Sequence, residues 1–248
     1  MNYVQEHFMK ALFILFSVLF LFQSNVQLTG LTHTAGNSTY MKPEEREMID
    51  EINRLRSNPA SYLVYIEPLL KEQENIEKNF GKGSREYSLS YRTEKRGNDQ
   101  IVSIDTNWYY SNEEKLNALR TLVDELKKTK PLRVLKPDPG IYKAARQHAL
   151  DQEAHQWTLL HTGSDGSEPS DRIKKFVPSI MATGENIAGT YPKPTPREVV
   201  IQLLVDDGIP GYGHRQNLLS PIWTHIACFT DGLHDGMYRW IQDFGEKN

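Results

Sequence analysis

Cys228 is the only cysteine among the 248 residues. No intramolecular disulfide can form, and a zinc site built on several thiolates is excluded. That constraint matters because the chain opens like an exported one. Residues 11–22, ALFILFSVLFLF, form an apolar run that follows Met9-Lys10 and precedes a polar QSN. A dozen apolar residues are too few to span a bilayer but suit the hydrophobic region of a secretory signal. Residues 1–30 are therefore expected to be a signal peptide, with cleavage between Ser24 and Ala35 and Met9 as an alternative start. Such a protein would be secreted or periplasmic, touching a membrane only through its signal during export. Small exported domains usually lean on disulfides. This one must be held by its core, and Cys228, in the stretch IACF, reads as a small buried hydrophobe.

The composition allows such a core, with 38% hydrophobic and 10% aromatic residues. Lys and Arg total 29 against 32 Asp and Glu, a formal net charge of -3. That balance excludes a nucleic-acid footprint spread over the chain.

Residues 31–42 are small and polar and read as a linker, and residues 43–245 as one domain. PEEREMIDEINRLR, from Pro43, places Met48, Ile49, Ile52 and Leu55 on one helical stripe, with proline suited to the first turn. Asn58-Pro59 interrupts it, and residues 60–70 predict a second helix. Residues 71–108 are polar and read as an insertion, with a hairpin between SLSYR and IVSID. Ser111-Asn112-Glu113-Glu114 is a capping-box pattern for a helix running to Lys128. A long helix is expected over 141–157. A second capping box, Thr195 to Glu198, launches the apolar VVIQLLV, and the C-terminal stretch predicts a hairpin of 223–230 with 237–244. Helices followed by a few late strands indicate an α+β fold.

Common catalytic signatures are missing: there is no G-x-S-x-G, no P-loop and no H-E-x-x-H. What remains is a set of imidazoles and carboxylates beside glycines or at element ends, where side chains converge across clefts. His161 stands in LHTGSDG, Glu185 in GENIAG, Asp206 and Asp207 after the apolar helix, and His214 in GYGHRQN. Two imidazoles and two carboxylates suit a divalent ion such as zinc or magnesium. The same residues also serve as separate polar turns and caps, and spacing alone leaves both readings open. His148 and His155, seven residues apart on the long helix, read as structural or exposed.

HTGSDG, GENIAG, the apolar helix ending VDD, and GHRQNLLSP occur in that order, with INRLRSNPASYL before them and YRWIQDFG after. This series resembles the CAP superfamily, or SCP domain, of cysteine-rich secretory proteins, antigen 5 and plant pathogenesis-related proteins of class 1, in its bacterial secreted branch. The resemblance covers residues 42–70 and 131–245. It implies a three-layer α-β-α sandwich with a small, mainly antiparallel sheet. It also implies a cleft of two histidines and two acidic residues that in some members binds a divalent metal, zinc foremost. Matched by motif, the four are His161, Glu185, Asp207 and His214. Asp207 departs from the family's glutamate, one methylene shorter. The resemblance implies no general activity. It leaves three readings: a binding protein for a metal and a small lipid or extracytoplasmic protein, a metal-assisted hydrolase, or a structural envelope protein.

Overall fold

The computed structural model describes residues 34–36, 38–80, 85–96, 99–156, 159–233 and 236–247, and within 80–112 the backbone alone. The expected signal peptide lies outside the described residues, which all belong to one unit spanning 32–248.

Helix α1 is Pro43–Ser57, with Pro43 opening it, Glu44 and Glu45 in its first turn and Arg54 and Arg56 in its last, as the helix dipole favours. The periodic stripe is its buried face: Met48, Ile49, Ile52 and Leu55 have no exposed surface. A 3-10 turn, Pro59–Tyr62, absorbs the Asn58-Pro59 break, and α2 then runs Leu63–Phe80. The expected helix stops ten residues short of this. Its second half, KEQENIEKNF, is rich in good helix formers but too polar to show a buried stripe. Strands β1 (Arg85–Arg96) and β2 (Asp99–Ser111) make the foreseen hairpin, pairing Tyr91 with Ile104 and Arg96 with Asp99 in a separate two-stranded sheet. Helix α3, Asn112–Lys128, ends where its sequence pattern ends. It returns alongside α2, where Arg120 meets Glu74 and Glu77.

The short β3 (Lys136–Pro137) leads into α4, Pro139–Ala154. Asp138 caps α4 by accepting from the backbone N–H of Gly140 and Ile141 at 2.7 and 3.0 Å, and its other oxygen meets Lys247 Nζ at 2.9 Å. Three elements carry no strong sequence pattern: α5 (Pro169–Phe176), β4 (Ala182–Thr190) and α7 (Gly213–Leu219). Between the last two lies α6, Pro196–Val205, capped as expected: Thr195 Oγ1 accepts from Glu198 N, and Thr195 N donates to Glu198 Oε2 at 2.7 Å. Strands β5 (His225–Gly232) and β6 (Tyr238–Glu246) form the C-terminal hairpin.

The main sheet has the order β3-β5-β6-β4, with β3 parallel to β5 and the other pairs antiparallel. Strand β6 is buried on both faces, so helices cover the sheet on both sides. One face belongs to α4 and α5. There Arg239 Nη2 donates to the Ala149 carbonyl, and a Cβ on Gly245 would run into Ile180 and Ile141. The other face belongs to α1, α6 and α7, where Gln242 reaches Met48 and Asn186 reaches the His214 carbonyl. This is a three-layer α-β-α sandwich with a small, mainly antiparallel sheet. Trp223, Trp240 and Cys228 lie in its core.

Three buried arginines tie distant segments through backbone oxygens. Arg56 donates to the carbonyls of Arg133, Leu218 and Ser220, all at 2.9 Å. Arg215 donates to Leu204, Val205 and Ala118, and Arg239 to Ala149 and the Asp231 carboxylate. The guanidinium group, planar with five donors, satisfies several carbonyls at once without losing its charge.

Candidate functional site

Strand β4 is the edge of the main sheet beside β6, and the two helical layers meet around it. Its edge is covered by α7: Asn217 Nδ2 donates to the Glu185 carbonyl and to Asn186 Oδ1, at 3.2 and 2.8 Å. Gly184 permits this approach, since a Cβ there would stand 2.8 Å from Asn217 Oδ1 and 2.9 Å from Trp223. A glycine-rich strand is a poor strand by propensity. Here the missing side chains let a helix sit against the edge.

Each layer sends one histidine to this edge. His161, from the loop between α4 and α5, and His214, in the first turn of α7, have ring centroids 6.5 Å apart. Each ring is held by its Nδ1 on a buried carboxylate. His161 Nδ1 lies 2.8 Å from Glu185 Oε1, and His214 Nδ1 lies 2.7 Å from Asp206 Oδ1. A carboxylate accepts only, so Nδ1–H is the tautomer both bonds require, and the lone pair of each neutral ring is on Nε2.

The carboxylates are fixed in turn. Glu185 Oε2 accepts from Arg172 Nη2 at 2.9 Å, and both side chains are almost wholly buried. Burial alone would raise the Glu185 pKa. The hydrogen bond from His161 and the charge of Arg172 outweigh it and hold the carboxyl below its ordinary range. Across the β4–β6 ladder Glu185 pairs with Asp243. Burial, and then the negative charge of Glu185, push Asp243 well above the usual carboxylate range. Neither Asp243 oxygen has a hydrogen-bond partner among the described residues. Of the two acids, Glu185 is therefore the one favoured to carry the negative charge, and Asp243 the one whose ionisation is disfavoured.

Asp206 sits at the end of α6 in a left-handed conformation, φ 54°. Its second oxygen accepts from the backbone N–H of His214 at 2.9 Å. It thus fixes both the start of α7 and the ring that α7 carries.

Of the four residues matched by motif, His161, Glu185 and His214 are brought together. The acid on His214 is Asp206, and its neighbour Asp207 is half-buried with contacts of its own. Among the described residues no group of three or more His, Cys, Asp or Glu side chains is arranged to hold a metal ion. The carboxylates stand behind the imidazoles. Sequence reasoning passed over Arg172, which sits in no motif, and gave no role to Asp243 within YRWIQDFG. It set Asp206 beside Asp207 among the candidate carboxylates but matched Asp207 to the second acidic position. His155 is exposed and His148 is fully buried.

A family model described as "CAP: Cysteine-rich secretory protein family" matches residues 50–244. The chain is 33% identical over 115 residues to "Uncharacterized protein YkwD" of Bacillus subtilis (strain 168), covering 46% of this chain and 39% of that one. It thus spans about two-fifths of that relative's length. Two solved structures are similar. One is an outer surface protein from Borrelia burgdorferi, with 24% identity, TM-score 0.41, 55% of this chain and 95% of the other. The second is an extracellular protein containing a SCP domain from Bacillus anthracis str. Ames, with 17% identity, TM-score 0.38 and 71% of each chain. The match over residues 50–244, which includes both cleft histidines and their carboxylates, places this chain in the CAP, or cysteine-rich secretory protein, family.

Proposed function

We propose that the protein is an exported CAP-domain binding protein whose His161–His214 pair takes a divalent metal ion, zinc foremost. The observation that carries this is the pairing itself: two imidazoles, 6.5 Å apart, each with Nδ1 on a buried carboxylate. Carboxylate–histidine pairs of this kind fix the tautomer and raise the basicity of the free nitrogen, as metal-binding histidines require. The residues fit a borderline ion bound by the two Nε2 atoms, with Glu185 and Asp206 orienting them. A bound ion would supply a Lewis-acidic centre in the cleft for an anionic or carbonyl group of a partner.

Glu185 disfavours the hydrolase alternative. A general base works best with a pKa tuned near the operating pH. Both Glu185 oxygens accept hydrogen bonds and its pKa is held low. A small lipid, another partner the family resemblance implies, has an apolar groove of about 430 Å³ available, lined by Tyr40, Pro139, Tyr142, Leu150 and Phe176. None of the residues lining it belongs to the cleft.

Calorimetric titration of zinc into the mature protein tests the metal reading. Wild type is expected to bind with a heat that His161→Ala and His214→Ala lose. Affinity should fall in acid, as protons compete with the metal for the imidazole nitrogens. Equal heats in all three proteins, or none in any, would remove the metal from this account.

A further inference from the structure

His148 on α4 is completely buried, and it stands between the cleft and a small polar cavity. On one side, His148 Nε2 lies 2.8 Å from the carbonyl oxygen of Leu160. Gln152, one turn further along α4, holds the same peptide. Leu160 N donates to its Oε1 at 3.2 Å, and its Nε2 donates to the Leu160 carbonyl at 2.9 Å. Leu160 immediately precedes His161, so α4 grips the backbone that presents the first cleft histidine.

On the other side lies a cavity of about 70 Å³, lined among others by His148, Asp151, Ser164, Asp165, Ser167 and Arg172. Most polar atoms around it are already engaged. Asp151 accepts from Ser164 N and Oγ, Asp165 Oδ1 from Ser167 N, and Arg172 Nη1 donates to the Ser167 carbonyl. Two buried atoms of the lining residues have no partner, His148 Nδ1 and Arg172 Nε. Arg172 Nε–H is a donor. His148 Nε2 also lies 2.6 Å from Gln152 Nε2, so Nδ1 is an acceptor when Nε2–H donates to the Leu160 carbonyl and a donor when Nε2 accepts from Gln152. Two orphan polar atoms beside a cavity with room for about two water molecules define a water site, since water can accept from Arg172 Nε–H and meet Nδ1 as donor or acceptor in either tautomer. Ions fit worse, because Arg172 repels a cation and the Asp151 and Asp165 carboxylates repel an anion.

We propose that His148 is the positioning residue of the cleft, and that a water bridging its Nδ1 to Arg172 Nε completes a second link to His161. The first link runs through the Leu160 peptide. The second runs from His148 through the water to Arg172, from Arg172 to Glu185, and from Glu185 to His161 Nδ1. His161 is thereby held at its backbone and at its ring by one buried imidazole. Burial pushes the His148 pKa below the ordinary histidine value, which keeps the ring neutral and able to accept.

The proposal rests on His161 being part of the working cleft, but its test needs no metal. Loss of zinc binding and loss of this link are therefore separate results. Long-range proton–nitrogen correlation NMR on the metal-free mature protein reads the tautomer of His161 directly. Wild type is expected to show a single Nδ1–H tautomer, and His148→Leu a mixture of both. His148→Asn keeps an acceptor over the cavity, and His148→Gln keeps a donor for the Leu160 carbonyl. Each should recover part of the wild-type pattern. A folded His148→Leu protein with the wild-type His161 pattern overturns the proposal. Should that variant not fold, a high-resolution crystal structure of the wild type decides. A water within hydrogen-bond distance of both His148 Nδ1 and Arg172 Nε supports the link, and an empty or ion-filled cavity refutes it.

Discussion

Replacing Arg172 with methionine tests the electrostatic frame of the cleft. The Arg172 side chain is 4% exposed and that of Glu185 is 1% exposed, so water cannot substitute for the lost cation. Removing one partner of a buried ion pair costs about 3–5 kcal/mol. The Ser167 carbonyl loses one of its two donors as well, keeping Gly163 N–H, for up to roughly 1 kcal/mol more. The sign of the pH dependence should also change. In the wild type the Glu185 pKa is lowered, so its contribution is present above the ordinary glutamate value of about 4.3 and fades as pH falls through the lowered one. In Arg172→Met the same carboxyl is buried beside Asp243 without its cation, and its pKa moves above that ordinary value. Its contribution is then kept in acid and lost as pH rises, so the gap between variant and wild type should narrow from pH 7 toward pH 5. Urea unfolding at both pH values measures this. Glu185→Gln completes a double-mutant cycle, in which the two losses should overlap by about 2 kcal/mol or more. Additive losses, or a loss below about 1 kcal/mol at pH 7, would show that the pair is not the buried unit described above.

Four other substitutions probe separate parts of the molecule. Asp206→Asn presents an amide N–H₂ to His214 Nδ1 and should weaken zinc binding by about 10–100-fold, while Asp207→Asn leaves it unchanged. Calorimetry on the two variants distinguishes the adjacent acids. Gly245→Ala drives a methyl group into Ile180 and Ile141 and should cost about 1–3 kcal/mol, read as a lower thermal midpoint. Asp138→Ala removes the α4 cap for about 1–2 kcal/mol at pH 7. Burial opposes ionisation of Asp138, but Lys247 and the Gly140 and Ile141 amides outweigh it and lower its pKa. The deficit of Asp138→Ala should therefore shrink as pH falls below about 4, through the lowered value.

The parts of the fold legible in the sequence are those with strong periodicity or defined punctuation. The Met48–Leu55 stripe, the Thr195 capping box and the C-terminal hairpin each follow from a local rule. Strand β4 was hidden because GENIAG has few of the branched residues that mark strands, and its existence depends on β6 beside it. The polar half of α2 was hidden because charged residues show no buried face. In the cleft, glycine-flanked His161, Glu185 and His214 stood out. Adjacent aspartates look alike in the sequence: the left-handed turn at Asp206 aims one carboxylate at His214, and no count of residues reveals that. Arg172 and Asp243 are reached only through the sheet register and the packing of α5, which are tertiary facts.

The buried arginines give this domain a kind of cross-link that oxidation and reduction cannot touch. Arg56 joins α1 to segments 77 and 162 residues away in sequence, spans that a secreted protein would often close with a disulfide. A disulfide forms or opens according to the redox poise around it. Guanidinium–carbonyl bonds do not, and the one thiol, Cys228, is sealed in the core. The same fold should therefore persist in a reducing compartment and in an oxidising one, without an isomerase in either.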